Sequence, residues 1–99
     1  MENELKKLMN TEGVVLVEFF ATWCPHCQRM MPIVAEAKQK LGDRAQVVQL
    51  DIDKNQGLAD TLGVERVPTF IVYKDDKEVD RASGEMPESD LLNLVESYL

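Results

Sequence analysis

Residues 17–27 read VEFFATWCPHC and join an apolar segment to a segment with helical spacing. The apolar segment, residues 14–21, is typical of a strand buried on both faces of a partly parallel sheet. Cys24 and Cys27 follow it, and apolar residues then recur at helical spacing as far as Leu41. The pattern predicts a helix from Cys24 to about Leu41, with both cysteines in its first turn.

The rest of the chain alternates helices and strands. Apolar spacing and glycine positions predict a helix over 2–10 that ends before Gly13, a strand over 46–52, a helix over 55–62, a hairpin of strands 69–74 and 78–82, and a helix over 89–99. The order α-β-α-β-α-β-β-α predicts an α/β fold with a four-stranded mixed sheet and helices on both faces. Nothing resembling a repeat or linker divides the sequence, so we expect one domain over residues 1–99.

Composition narrows the classes of function. The 99 residues are 44% hydrophobic and 29% charged, which is typical of a globular domain and not of a disordered chain. The longest apolar run contains Glu18 and is far shorter than the roughly 18 residues of a membrane span. The formal net charge of −7 argues against nucleic acid and anionic membranes as partners.

The sequence has two cysteines, too few for the disulfide framework of a small secreted protein. The first residues carry neither an apolar segment nor a cleavage signal, which predicts a cytoplasmic location. Thiols in the cytosol are kept reduced, and a closely spaced pair there is more often catalytic or metal-binding than structural.

The predicted helix start favours thiol chemistry at this pair. Pro25 suits the first helical position, which places Cys24 at the N-cap, where free backbone N–H groups and the helix dipole lower the pKa of a thiol. His26 adds stabilisation to a Cys24 thiolate when the imidazole is protonated. Cys24 is the predicted nucleophile, and Cys27, three residues on and on the same face, is the predicted resolving thiol.

Three other uses of the pair fit less well. A zinc site needs about four ligands, and the sequence offers only Cys24, His26 and Cys27 here, so we expect no metal. Attachment of c-type haem requires a histidine after the second cysteine, where this chain has Gln28. A purely structural disulfide across so short a loop stabilises little.

The surroundings of the pair resemble the thioredoxin family in order and spacing. The matching segments are residues 17–27, Pro32, residues 51–53 (DID), residues 67–70 (VPTF) and Gly84, so the resemblance covers nearly the whole chain. It implies the thioredoxin fold and thiol–disulfide exchange with no cofactor beyond a redox-active Cys24–Cys27 disulfide. It also implies a cis peptide bond at Pro68 beside Cys24, and a Val67 backbone that pairs with an extended substrate peptide.

Several positions depart from the usual thioredoxin pattern. Pro25 and His26 replace the usual Gly-Pro, a change shared with strongly oxidising relatives and with some small archaeal-type thioredoxins. The strand acid is Glu18 where Asp is usual, and Gln49 aligns with a usual lysine. Arg66 stands where a glycine is usual, and the sequence begins at the first predicted helix, so we expect it to lack the leading strand of longer thioredoxins.

The resemblance also suggests roles for residues around the cysteines. Glu18, an acid within an apolar strand, should have a raised pKa and take the Cys27 proton through a water. Its alternative role is structural, paired with a lysine such as Lys38. Trp23 is predicted to form an apolar rim for partners, with a core position as the alternative. The substrate-binding set is completed by Arg66, Val67, Pro68 and Thr69.

The predicted function is reduction of protein disulfides by a monomer that is recharged by a flavoprotein resembling thioredoxin reductase. Because His26 favours the dithiol form, a more oxidising disulfide oxidase or isomerase is one alternative. A glutaredoxin-like enzyme is another, although Trp23 and residues 51–53 argue against it. The non-enzymatic alternative is a binding module whose thiols sense the redox state.

Overall fold

The computed structural model describes residues 2–99, with side chains from Glu4 onward. Its helices are α1 (Glu2–Leu8), α2 (Pro25–Leu41), α3 (Gln56–Thr61) and α4 (Glu88–Glu96), and its strands are β1 (Val14–Phe20), β2 (Ala45–Asp51), β3 (Thr69–Lys74) and β4 (Lys77–Ser83). Short 3₁₀ turns occupy Gly42–Arg44 and Ile52–Lys54. None of the helices within residues 2–99 is long and apolar enough to cross a membrane.

The four strands form one mixed sheet in the order β2-β1-β3-β4. β1 runs parallel to β2 and antiparallel to β3, and β3 is antiparallel to β4. The parallel pair is connected through α2, as the crossover of a βαβ unit requires. The predicted α/β fold with a four-stranded mixed sheet is confirmed.

The apolar character of β1 follows from its central position, because it is covered on both faces. Alternate residues point to opposite faces of a strand. Val15 and Val17 face a core shared with α1 and α3, whereas Val14 and Leu16 face a core shared with α2 and α4. Glu18 is the next residue on the same face as Val14 and Leu16, so its carboxyl group points towards the α2 side of the sheet.

The predicted ends of two helices differ from the structure. The last helix is predicted to reach Leu99 but ends at Glu96, and the backbone N–H groups of Tyr98 and Leu99 donate to carbonyls three residues earlier, which tightens the last turn. The first helix ends at Leu8, well before Gly13. Gly13 has φ +83° and donates its N–H to the Asp75 carboxylate at 2.9 Å, so it belongs to the turn beside the β3–β4 hairpin.

Candidate active site

The cysteine pair lies at the junction between β1 and α2. Cys24 is the N-cap residue of α2 with extended backbone angles, φ −89° and ψ 119°, and Pro25 begins the helix. The Cys24 carbonyl accepts the Gln28 N–H at 3.0 Å, which is the first hydrogen bond of the helix. The predicted arrangement, with one cysteine at the N-cap and the other in the first turn, is therefore present.

The Cys24 thiol has a lowered pKa. The backbone N–H of Cys27 is the main cause, and the Cys27 thiol, the backbone N–H of His26 and the positive charge of Arg29 add to it. Desolvation acts in the opposite direction but is outweighed. The Cys24 sulfur also lies 3.8 Å from the Val67 carbonyl oxygen. Cys24 is thus the thiol that ionises more readily.

The pKa of the Cys27 thiol is shifted in the opposite direction, although both cysteines are buried. Only 2% of the residue is exposed, and burial raises its pKa to about 11. The Ala21 N–H donates to its sulfur at 3.4 Å, which offsets part of the cost of ionisation. The neighbouring Cys24 and Glu18 raise the pKa further. At neutral pH, Cys27 needs help to lose its proton.

Glu18 is buried, with 2% of the residue exposed, and burial raises its pKa. Its partner is Gln49 on the neighbouring strand β2, whose side-chain amide donates to the carboxylate at 2.9 Å and partly counters the rise. The alternative structural role for Glu18 predicted a lysine such as Lys38 as its partner. The partner seen here is the amide of Gln49 instead. An open cavity of about 240 Å³ is lined by Glu18, Phe20, Met31 and Gln49 and has room for water.

An open groove of about 480 Å³ passes over the Cys24 thiol, and its lining consists of Trp23, Cys24, His26, Arg66, Val67, Ser83, Gly84 and Glu85. The Val67–Pro68 peptide bond is cis. Trp23 is 65% exposed, and its indole N–H donates to the Asp53 carboxylate at 2.8 Å. Trp23 therefore lies on the rim of the groove and not in the core.

The substrate-binding residues predicted near Pro68 divide into two groups. Arg66 is exposed and Val67 half-buried, and both line the groove. Pro68 and Thr69 are buried. The Thr69 hydroxyl donates to the Arg66 carbonyl and lies 2.9 Å from the Ser83 hydroxyl, so it holds the strand ends together and presents no free group to the groove.

Beside His26 the structure places two residues that the sequence reasoning missed, Arg29 and Glu85. The Glu85 carboxylate accepts from Arg29 Nε at 2.6 Å and from Arg29 Nη2 at 2.9 Å. His26 Nδ1 lies 2.6 Å from Glu85 Oε2. Glu85 is 59 residues from His26 in sequence, so no spacing pattern could have paired them.

Metal binding finds no support in the part of the chain described. Across residues 2–99, no group of three or more histidine, cysteine, aspartate or glutamate side chains is arranged to hold a metal ion. The site is thus a dithiol in two different environments, with a buried carboxylic acid behind it and an open groove in front.

Comparison with known proteins places this arrangement in a family. The thioredoxin family model matches residues 2–97. Thioredoxin from Bacillus subtilis is 39% identical over 89 residues, which cover 90% of this chain and 86% of that protein. The crystal structure of Fasciola hepatica thioredoxin superimposes with a TM-score of 0.89 at 33% identity, covering 98% of this chain and 93% of the other. The chain belongs to the thioredoxin family and has the thioredoxin fold.

A further relative is longer than this chain. Chloroplastic thioredoxin Y of Oryza sativa is 44% identical over 92 residues, which are 93% of this chain but 55% of that protein. The chain thus spans about half the length of this relative.

Proposed function

We propose that the protein is a thiol–disulfide oxidoreductase that reduces disulfides in other proteins. The proposal rests on the difference between its two thiols in pKa and in position relative to the groove. Cys24 lines an open groove and has a lowered pKa, whereas Cys27, three residues further on, does not line the groove and has a pKa of about 11. An attacking thiol must ionise near neutral pH and reach its target, while a resolving thiol has to reach only its neighbour and can lose its proton to a base as it attacks. Membership of the thioredoxin family supports the same assignment.

The exchange proceeds in two displacements. The Cys24 thiolate attacks one sulfur of the target disulfide, so that a mixed disulfide forms and the other target sulfur leaves as a thiolate that takes up a proton. Cys27 then loses its proton and attacks the Cys24 sulfur, which releases the second target thiol. The target gains two electrons and two protons, and the enzyme is left with a Cys24–Cys27 disulfide.

Glu18 is the base proposed for the second displacement. It is buried on the same side of the sheet as α2, and its charge is close enough to Cys27 to raise the pKa of that thiol. A buried carboxylate with a raised pKa is a suitable proton acceptor near neutral pH. The cavity that Glu18 shares with Gln49 has room for a water to carry the proton.

The groove is the proposed binding surface for the target. An extended peptide lying along it would bring a disulfide to Cys24, pair with the Val67 backbone and pack against Trp23. Arg66 supplies positive charge at its edge. Pro25 and Pro68 follow Cys24 and Val67 of its lining and offer no N–H donor.

We further propose that a flavoprotein resembling thioredoxin reductase returns the enzyme to the dithiol form. The reaction needs no cofactor besides the two cysteines, in keeping with the family. The cytoplasmic location and the monomeric state remain predictions from the sequence. Cell fractionation and size-exclusion chromatography test them directly.

Reduction of insulin with dithiothreitol as the electron donor tests the proposed function. Wild type should accelerate reduction, and Cys24→Ser should return the rate to that of dithiothreitol alone. Cys27→Ser should lose turnover. When this variant is reduced beforehand, freed of dithiothreitol and mixed with insulin, it should accumulate a mixed disulfide, visible as a higher-mass band that added reductant removes. A wild type without acceleration, or a Cys27→Ser variant that captures no insulin, would contradict the proposal and favour a binding module.

A further inference from the structure

The exposed cluster of His26, Arg29 and Glu85 has no role in the exchange steps above. His26 and Arg29 lie one helical turn apart at the start of α2, and Glu85 lies in the loop between β4 and α4. The Glu85 carboxylate receives both Arg29 nitrogens, at 2.6 and 2.9 Å, and one of its oxygens also contacts His26 Nδ1 at 2.6 Å. His26 and Glu85 both line the groove beside Cys24.

These distances identify the ring nitrogen that carries hydrogen. The Arg29 hydrogen bonds lower the pKa of Glu85 to about 2, so its oxygens are charged acceptors at neutral pH. Two lone pairs facing each other at 2.6 Å would repel, so Nδ1 of His26 must be the donor to Glu85. The contact of 3.0 Å between Arg29 Nη2 and His26 Nδ1 is then a consequence of their shared acceptor. In the neutral ring, Nε2 is then the nitrogen without a hydrogen.

The same carboxylate changes the electrostatics at the nucleophile. The positive charge of Arg29 favours the Cys24 thiolate, and a protonated His26 acts in the same direction. Glu85 pairs with both cations and so removes part of their field at the sulfur. Because stabilising the thiolate stabilises the dithiol form, unopposed cations would make the pair more oxidising.

We propose that Glu85 is a positioning residue that fixes His26 in its Nδ1–H form and offsets the charge of His26 and Arg29 at Cys24. The reduction potential of the cysteine pair is therefore lower than the Cys-Pro-His-Cys sequence alone would give. This inference rests on the proposed function, in which the potential decides between reduction and oxidation of targets.

Solvent limits the size of the effect. The side chains of His26 and Glu85 are 60% and 36% exposed, so the interaction is screened. Exposed charge pairs interact weakly because solvent screens them. We therefore expect Glu85→Gln to change the equilibrium with glutathione about two- to fivefold. For a two-electron couple this is about 10–20 mV. Arg66 and Cys27, the other titratable groups near the sulfur, are unchanged in this variant.

The experiment compares the potentials of wild type, Glu85→Gln and a matched control, Glu88→Gln. Glu88 is also a carboxylate in an ion pair at the surface, partly exposed and with Lys40 at 2.6 Å. Lys40 lies 16 residues along α2 from Cys24, about 24 Å at 1.5 Å per residue, so its pair cannot influence the thiols. Potentials are measured against glutathione at pH 6 and at pH 8.5. Glu85→Gln should be more oxidising at both pH values, while Glu88→Gln should match wild type.

A second measurement reports on the imidazole itself. His26 is the only histidine in the chain, so ¹⁵N resonances of its ring are unambiguous. In alkaline solution, wild type should show hydrogen on Nδ1, and Glu85→Ala, which removes the acceptor, should lose this preference. A residue that merely supported the fold would change neither the tautomer nor the potential.

The outcomes are decisive in each direction. Hydrogen on Nε2 in wild type, an unchanged tautomer in Glu85→Ala, or a potential of Glu85→Gln that equals or falls below the control would overturn the inference. The insulin assay judges the proposed function separately. A protein that fails to reduce insulin still has a measurable potential and tautomer, so the two failures are distinguishable.

Discussion

Replacing Glu18 with glutamine removes the proposed base and leaves a side chain of nearly the same shape. The amide can still meet Gln49 across the strand pair, so the fold should be retained. The first displacement, by Cys24, should proceed as in wild type. Only the second displacement, by Cys27, requires the proton acceptor.

The pKa of Cys27 sets the size of the effect. A pKa of about 11 leaves about one thiol in ten thousand ionised at pH 7, against about one in a hundred for a thiol at the ordinary value of 9.0. A positioned general base typically contributes about 10²- to 10⁴-fold to a rate. We expect a loss at or just below the lower end of this range, about 10- to 100-fold at pH 7. The variant also loses the charge of Glu18, which contributes to the high pKa of Cys27.

Stopped-flow mixing of the reduced protein with excess dithiobis(nitrobenzoate) separates the two displacements. The first nitrothiobenzoate is released in a second-order phase as Cys24 attacks the reagent. The second is released in a first-order phase as Cys27 attacks the mixed disulfide. In Glu18→Gln the first phase should be unchanged, and the second should be slow and rise about tenfold per pH unit from pH 7 to 9 because only free thiolate reacts.

Glu96→Gln is the control for the loss of one carboxylate. Glu96 is exposed, lies in α4 far from the thiols, and pairs with Arg44 at 3.2 Å. It should behave as wild type in both phases. Equal first-order rates for wild type and Glu18→Gln across pH 6–9 would refute the role of Glu18. A slowed first phase would also refute the assignment of Cys24 to the first displacement and of the base to Cys27 alone.

Three further predictions concern stability and binding. Burial raises the pKa of Glu18, so the folded state holds its proton more tightly and loses stability as pH rises above the ordinary value of 4.5. The free energy of unfolding of Glu18→Gln should therefore exceed that of wild type by more at pH 8 than at pH 4 in urea titrations, and a difference that does not grow with pH would contradict this. Leu91→Ala should lose about 2–5 kcal/mol in the same titrations, because Leu91 is fully buried between α4 and the sheet, and a loss under about 1 kcal/mol would contradict this packing. Trp23→Ala should raise KM for insulin about fivefold or more with an unchanged reduction potential, and an unchanged KM would exclude Trp23 from the binding surface.

The sequence was most informative where local rules apply. The run at residues 14–21 is apolar because both faces of β1 are covered, and the observed strand ends within one residue of the prediction. Pro25 and Gly42 mark the ends of α2 through the backbone angles that they permit. The helix start then fixed the positions of Cys24 and Cys27, and hence the contrast between their thiols.

What the sequence could not provide are contacts between distant segments. Glu85 reaches His26 and Arg29 only because the β3–β4 hairpin brings the loop after β4 next to the start of α2. The hydrogen bond from Gln49 to Glu18 likewise depends on the register of two parallel strands. Thr69 follows Pro68 directly, yet its side chain is buried, because β3 is an inner strand of the sheet that is buried over nearly its whole length.

The reduction potential of the wild-type Cys24–Cys27 pair tests the central claim, that this dithiol serves as a reductant of protein disulfides. It is measured by equilibration with defined glutathione mixtures and quantification of the free thiols. We expect a value of about −270 mV, the level of thioredoxin, because Glu85 offsets the influence of His26. A value at or above about −180 mV, the level of protein disulfide isomerase, would contradict it and assign the protein to oxidation or isomerisation of disulfides.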